Sequence, residues 1–105
     1  MNRGDIYRHK FKEPVKTRPV LILTRNEAIP ELNAVTVIPT TTTIRDVLSQ
    51  VILTEDDGVE ENCVLNLDWI QTVPKNKLGS YVTHLSDERM QEVFEAIKFA
   101  FGFDK

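Results

Sequence analysis

The sequence predicts a mainly β (α+β) protein: a small, strongly bent antiparallel barrel carrying one C-terminal amphipathic helix. Three observations predict it. Short apolar runs recur between clusters of turn residues. No helical stretches separate them, so βαβ units and a parallel sheet are not expected. Helical periodicity is confined to residues 86–102. At 105 residues, the chain is expected to form one domain with a single modest core.

Gly4 to Phe11 reads as a first strand, with Ile6 alternating against Arg8 and Lys10. Lys12 to Thr17 is a polar loop broken by Pro14. Arg18 to Thr24 is almost continuously apolar, as in a strand buried on both faces, and Pro19 near its start costs little there. Asn26 to Asn33 is a loop, followed by a strand over Ala34 to Thr41. In that strand Val35, Val37 and Pro39 face one way and Thr36, Ile38 and Thr40 the other. A strand is expected over Val47 to Thr54, then a turn at Glu55 to Gly58, where Gly58 can take a positive φ. Cys63 to Leu67 and Ile70 to Val73 read as two short strands or one bent one. Gly79 to His84 is a possible edge strand. Ser86 is an N-cap, with Asp87 and Glu88 on the favourable end of the helix dipole. Met90, Val93, Phe94, Ile97 and Phe101 share one helical face, and Gly102 is the stop.

Composition excludes several functions. The apolar fraction of 41% and charged fraction of 28% are those of an ordinary globular chain. Runs such as Val20 to Leu23 and Phe99 to Phe101 are too short to cross a bilayer. The N-terminus lacks the apolar segment of a secretory signal. The single cysteine, Cys63, makes no internal disulfide, so a reducing, cytoplasmic home is expected. No metal-ligand spacing appears, and no cofactor is expected.

Charge is polarised. The total is −3, but residues 1–25 hold seven basic groups against two acidic ones, a net +5. Residues 54–105 hold five basic against eleven acidic groups, a net −6. The basic quarter can hold a polyanion locally, although lysines that merely solvate a strand and loop would look the same.

The candidate chemistry lies at strand ends. Arg18 carries a permanent charge and a fork that grips phosphate with paired hydrogen bonds; an ion pair to Asp5 or Glu13 is the plainer reading. Thr40 to Thr43 put four hydroxyls after a β run, where they reach phosphate or ribose, or make local turns. Glu13 lies in the basic loop, where neighbouring cations keep it ionised. Asp68 precedes Trp69, a residue suited to stacking on a base, although core packing is the preferred reading for so large an apolar surface. His9 and His84 are read as structural. RNA supplies its own nucleophile, the ribose 2′-hydroxyl. An enzyme that uses it needs a base, an acid and a cation for the crowded phosphorane. Glu13, Arg18 and Thr40 can fill that list.

Arg3-Gly4-Asp5-Ile6-Tyr7, Thr17-Arg18-Pro19-Val20-Leu21-Ile22-Leu23, Val37-Ile38-Pro39-Thr40-Thr41, Leu67-Asp68-Trp69-Ile70-Gln71-Thr72-Val73 and the closing helix together resemble the MazF/PemK (Kid-like) toxin family, over nearly the whole chain. The resemblance implies an SH3-like barrel shared with the gyrase poison CcdB, and a homodimer. It implies metal-independent, sequence-specific cleavage of single-stranded RNA, leaving a 2′,3′-cyclic phosphate and a 5′-hydroxyl. It also implies a cognate antitoxin whose acidic tail covers the RNA groove. The family's catalytic arginine falls on Arg18, its threonine on Thr40 and a common glutamate on Glu13. The acidic residue of its [DE]-Q segment falls on Asp68. Lys10, Lys12, Lys16, Thr41, Asp68 and Trp69 form the candidate RNA-contacting set. The loop before Arg18 lacks the usual G-S-E-Q pattern, Trp69 replaces a common glutamine, and Gln71 replaces a basic residue. The cleavage motif is therefore expected to differ from those of better-known members.

Two other classes stand beside the nuclease. A CcdB-like protein-binding poison predicts intact RNA and a tight protein partner, but the Phe101-to-Lys105 ending does not match that family's Trp-Gly-Ile-type terminus. A non-catalytic nucleic-acid-binding barrel predicts salt-sensitive binding without product.

Overall fold

The apolar runs resolve into seven strands and one helix in the computed structural model, which describes residues 1–12 and 16–104. The strands are β1 (Asp5–Lys10), β2 (Thr17–Ile22), β3 (Ala34–Thr41), β4 (Gln50–Leu53), β5 (Cys63–Asn66), β6 (Gln71–Pro74) and β7 (Leu78–His84), and helix α1 covers Asp87–Ala100. All pairings are antiparallel. The main path runs β4-β5-β3-β2-β1-β7, and β6 pairs with β3 off that path.

β3 is the spine, because it pairs with three strands. Its first half, Ala34 to Val37, takes β6 on one flank, and its last two residues, Thr40 and Thr41, take β5. The 3-10 turn Leu67–Trp69 joins β5 to β6, so the pair is a single run broken at a turn. β2 lies on the other flank, paired over Val20 to Ile22. The outcome is a strongly bent, barrel-like sheet rather than a closed one: β4 and β7 end the hydrogen-bonded path. β7 is the expected edge strand, and its register against β1 shifts on both sides of Tyr7, irregularities that increase local bend.

Alternation sends β2 and β3 side chains into two cores. Leu21 and Ile38 join Ile6, Leu53, Leu65, Leu67 and the helix face Met90, Val93 and Ala96. Val20, Ile22, Val35 and Val37 join Ile29 and Val73 on the opposite side. Both strands are thus buried on both faces, as their unbroken apolar runs require. Helix α1 begins where Ser86 Oγ accepts the Arg89 N–H at 3.2 Å and ends before Gly102, at φ +74°. The helix packs on β4 and on the Leu67–Trp69 turn, pinning that turn from below through Leu67.

β4 begins at Gln50 rather than Val47. The Gln50 side chain is the reason: its Oε1 accepts the Arg45 N–H at 2.9 Å and its Nε2 donates to the Thr43 carbonyl at 3.2 Å. These bonds hold residues 43–49 as a closed loop, with Asp46 at φ +52°. Gly58 takes φ +96°, and a Cβ there would meet Thr83 Oγ1 at 2.3 Å, so glycine is required on both counts.

Candidate functional site

Backbone pairing between β2 and β3 stops at Val20–Pro39. Pro19 and Pro39 lack N–H groups, so the ladder cannot continue through them, and side chains take over. Thr40 Oγ1 donates to the Pro19 carbonyl at 2.7 Å, and Arg18 Nη1 donates to the Thr40 carbonyl at 3.3 Å. Beyond the break the two strands keep different partners. Arg18 and Pro19 stay paired with His9 and Arg8 of β1, while Thr40 and Thr41 pair with Leu65 and Val64 of β5.

Two adjoining clefts open at this divergence, and Arg18, Thr40 and Thr41 line both. The first, about 470 Å³, runs past Arg45, Ser49, Asn66, Asp68, Trp69 and Gln71. The second, about 570 Å³, runs past Arg8, Lys16, Thr17, Glu60, Glu61 and Cys63. Arg18 is half-buried, whereas Thr40 is only 3% exposed. Its hydroxyl proton is directed at Pro19, and its lone pairs remain available to accept.

The charges are arranged unevenly. Arg18 makes no ion pair among the described residues; Asp5, one of its two expected partners, binds His84 Nδ1 at 2.8 Å instead. Arg8 pairs with Glu60 at 2.5 Å across the second cleft. Cys63 is buried beside Thr40, and its thiol is pushed up to about 11, first by burial and then by the nearby Glu61 carboxylate. Among the described residues, no three His, Cys, Asp or Glu side chains stand together as metal ligands.

Sequence reasoning placed Arg18, Thr40, Thr41, Lys16, Asp68 and Trp69 in one site, and all six line these clefts. Lys10 and Lys12 are exposed but line neither cleft. Glu13 lies outside the described residues. Trp69 corrects the core-packing expectation: it is 66% exposed, because Leu67 takes the inward position of the turn. His9 is buried beside Phe11, ring to ring at 4.7 Å; it lines neither cleft itself, although Phe11 lines the first. Arg8, Arg45, Ser49 and Asn66 were not singled out from the sequence. Arg8 carried a weak signal, as a polar residue alternating in a basic strand. Ser49 carried none, since its role depends on a contact nineteen positions away.

The fold and the clefts together define a small bent-sheet protein with an arginine and a threonine converging where two strands part. Residues 2–101 match the family of PemK-like, MazF-like toxins of type II toxin-antitoxin systems. The chain belongs to that family. It is 39% identical over 89 residues to endoribonuclease MazF3 of Mycobacterium tuberculosis, covering 85% of this chain and 86% of the relative. Among solved structures, the M. tuberculosis toxin MazF-mt6 superposes with a TM-score of 0.85 at 36% identity, covering 93% of this chain and 96% of the other. An endoribonuclease from a mycobacterial species in complex with its cognate antitoxin gives a TM-score of 0.85 at 26% identity, covering 97% and 95%.

Proposed function

We propose that this toxin is an endoribonuclease that cuts single-stranded RNA by attack of the ribose 2′-hydroxyl on the adjacent phosphate, leaving a 2′,3′-cyclic phosphate and a 5′-hydroxyl. The observation that carries the reading is the convergence of Arg18 and Thr40 at the point where β2 and β3 part. Among the described residues Arg18 makes no ion pair, and its half-buried side chain lines both clefts, where a phosphate can meet it. It stabilises the phosphorane and is placed to protonate the leaving 5′ oxygen. The Thr40 hydroxyl hydrogen turns about the Cβ–Oγ bond, so an incoming phosphate oxygen draws it from the Pro19 carbonyl and is held in place. Glu13, in the basic loop between the first two strands of the sequence, is the proposed acceptor of the 2′ proton. Lys10, Lys12 and Lys16 supply positive charge along the strand's path.

The mycobacterial endoribonuclease solved with its cognate antitoxin supports neutralisation of this toxin by a cognate antitoxin of its own; the reading further takes it as a single-domain, cytoplasmic homodimer. The groove's basic side suits an acidic inhibitor segment. Purified protein incubated with a long mixed-sequence RNA in EDTA tests the reading. Fragments bearing cyclic phosphate and 5′-hydroxyl ends are expected. Intact RNA, or fragments with 5′-phosphates, would overturn it.

A further inference from the structure

We propose that Asp68, held in place by Ser49, reads one base of the bound RNA and selects a base with an exocyclic amino group, cytosine over uracil among pyrimidines. The inference rests on the endoribonuclease reading above and names what its first cleft takes.

One hydrogen bond holds the exposed carboxylate, and two more hold the turn that carries it. Ser49 is only 4% exposed, yet its hydroxyl donates to Asp68 Oδ2 at 2.6 Å. The Ser49 carbonyl accepts the Leu67 N–H at 2.9 Å, which ties the residue before β4 to the turn itself. Asn66 Oδ1 accepts the Asp68 N–H at 3.2 Å. Asp68 Oδ1 has no hydrogen-bond partner among the described residues, and the residue lines the cleft beside the exposed ring of Trp69.

An indole face next to a fixed acceptor makes one station for a base. The ring stacks on any base, so discrimination falls to the carboxylate. An ionised carboxylate only accepts. Cytosine offers its N4 amino group to it, and adenine and guanine also offer N–H donors. Uracil places the O4 acceptor where cytosine has N4, setting two acceptors against each other. A negative charge in a polyanion groove also weakens binding unless a base donor offsets it. That makes Asp68 a poor phosphate contact and a good base contact. Ser49 is a positioning residue: almost wholly buried at the cleft wall, it acts on the base through Asp68.

Trp69 is the only tryptophan in the chain, so its fluorescence reports this station directly. The experiment titrates the full chain, Asp68→Asn and Ser49→Ala with uncleavable 2′-O-methyl oligocytidine and oligouridine of equal length. The two probes carry equal charge, so phosphate contributions cancel in the affinity ratio. The native chain is expected to bind the cytidine oligomer about tenfold more tightly. The ratio should fall below about threefold in Asp68→Asn, whose amide can donate to O4, and lie between in Ser49→Ala with an unchanged melting temperature. Equal affinities in the native chain, a preference for uridine, no quenching by either probe, or a native ratio in Asp68→Asn would overturn the proposal. If the ratios behave as expected but no RNA is cut, the endoribonuclease reading falls and the base station stands. If RNA is cut and the ratio ignores Asp68, the reverse holds.

Discussion

Val20 of β2 and Pro39 of β3 are the last residues paired between their strands, and the groove begins at Pro39 itself. Pro19 and Pro39 end the ladder because neither can donate. Two side-chain bonds, from Thr40 to Pro19 and from Arg18 to Thr40, bridge the gap. The residues proposed to handle phosphate therefore also hold β2 and β3 together where their backbone ladder ends. Four predictions follow from this arrangement and its surroundings.

Arg18→Ala should lower cleavage of a long RNA by about 100-fold or more, the usual cost of removing a preorganised charge from a reacting centre. Arg18→Lys should fall between, since an ammonium keeps the charge and loses the fork. Gel assays, with far-UV circular dichroism to confirm the fold, check both. Normal cutting by Arg18→Ala would remove it from the mechanism.

Thr40→Val keeps the shape and deletes the hydroxyl, leaving the Pro19 carbonyl without its donor. Cleavage should be lost, and stability should fall by about 1 kcal/mol. Thr40→Ser should retain both. Urea denaturation alongside RNA assays separates the structural part from the chemical part. If Thr40→Val proves as stable as the native chain, the bond to Pro19 contributes nothing to closing the sheet.

Cys63 should make stability fall in alkali. Its thiol is raised from 9.0 to about 11 in the folded protein. Between those values the unfolded chain loses the proton while the native chain keeps it, so the native state binds more protons and loses ground as pH rises. Tyr7, whose phenol burial also raises, adds in the same direction. Thermal melts of the native chain and Cys63→Ala at pH 8 and pH 10.5 should show a smaller loss in the variant. Identical slopes would show that the thiol is not the titrating group.

Asp5 is 6% exposed and accepts from both His84, at 2.8 Å, and the Asn2 N–H, at 2.8 Å. It joins β1, the N-terminal turn and the end of β7. Asp5→Ala should cost about 1–3 kcal/mol, because it leaves those donors unpaired. His84→Ala should cost less, as its ring is about half in solvent and its loss leaves Asp5 with the Asn2 bond. Chemical denaturation of the two variants gives the comparison. A larger loss in His84→Ala would refute the ranking.

Much of this was legible beforehand. The alternation in Ala34 to Thr41, the double-sided burial of β2, the Ser86 cap and the Gly58 and Gly102 turns depend on near neighbours in the chain, and all are found in place. The start of β4 was misplaced, because Val47 and Leu48 look like strand residues while the amide of Gln50 captures the loop before it. Trp69 was expected inside on the strength of its size. Its neighbour Leu67 occupies the inward position, and periodicity cannot rank two apolar residues across a 3-10 turn.

The chain's own order determined which segments extend, which one coils, and that an arginine and a threonine end adjacent strands, because those properties arise from local sterics, turn chemistry and side-chain period. Only the folded molecule decided that β3 changes partners at Thr40, that Ser49 holds Asp68, and that Trp69 faces outward. Those outcomes depend on which distant strand wins a backbone partner, a competition among long-range contacts that no short window of residues encodes.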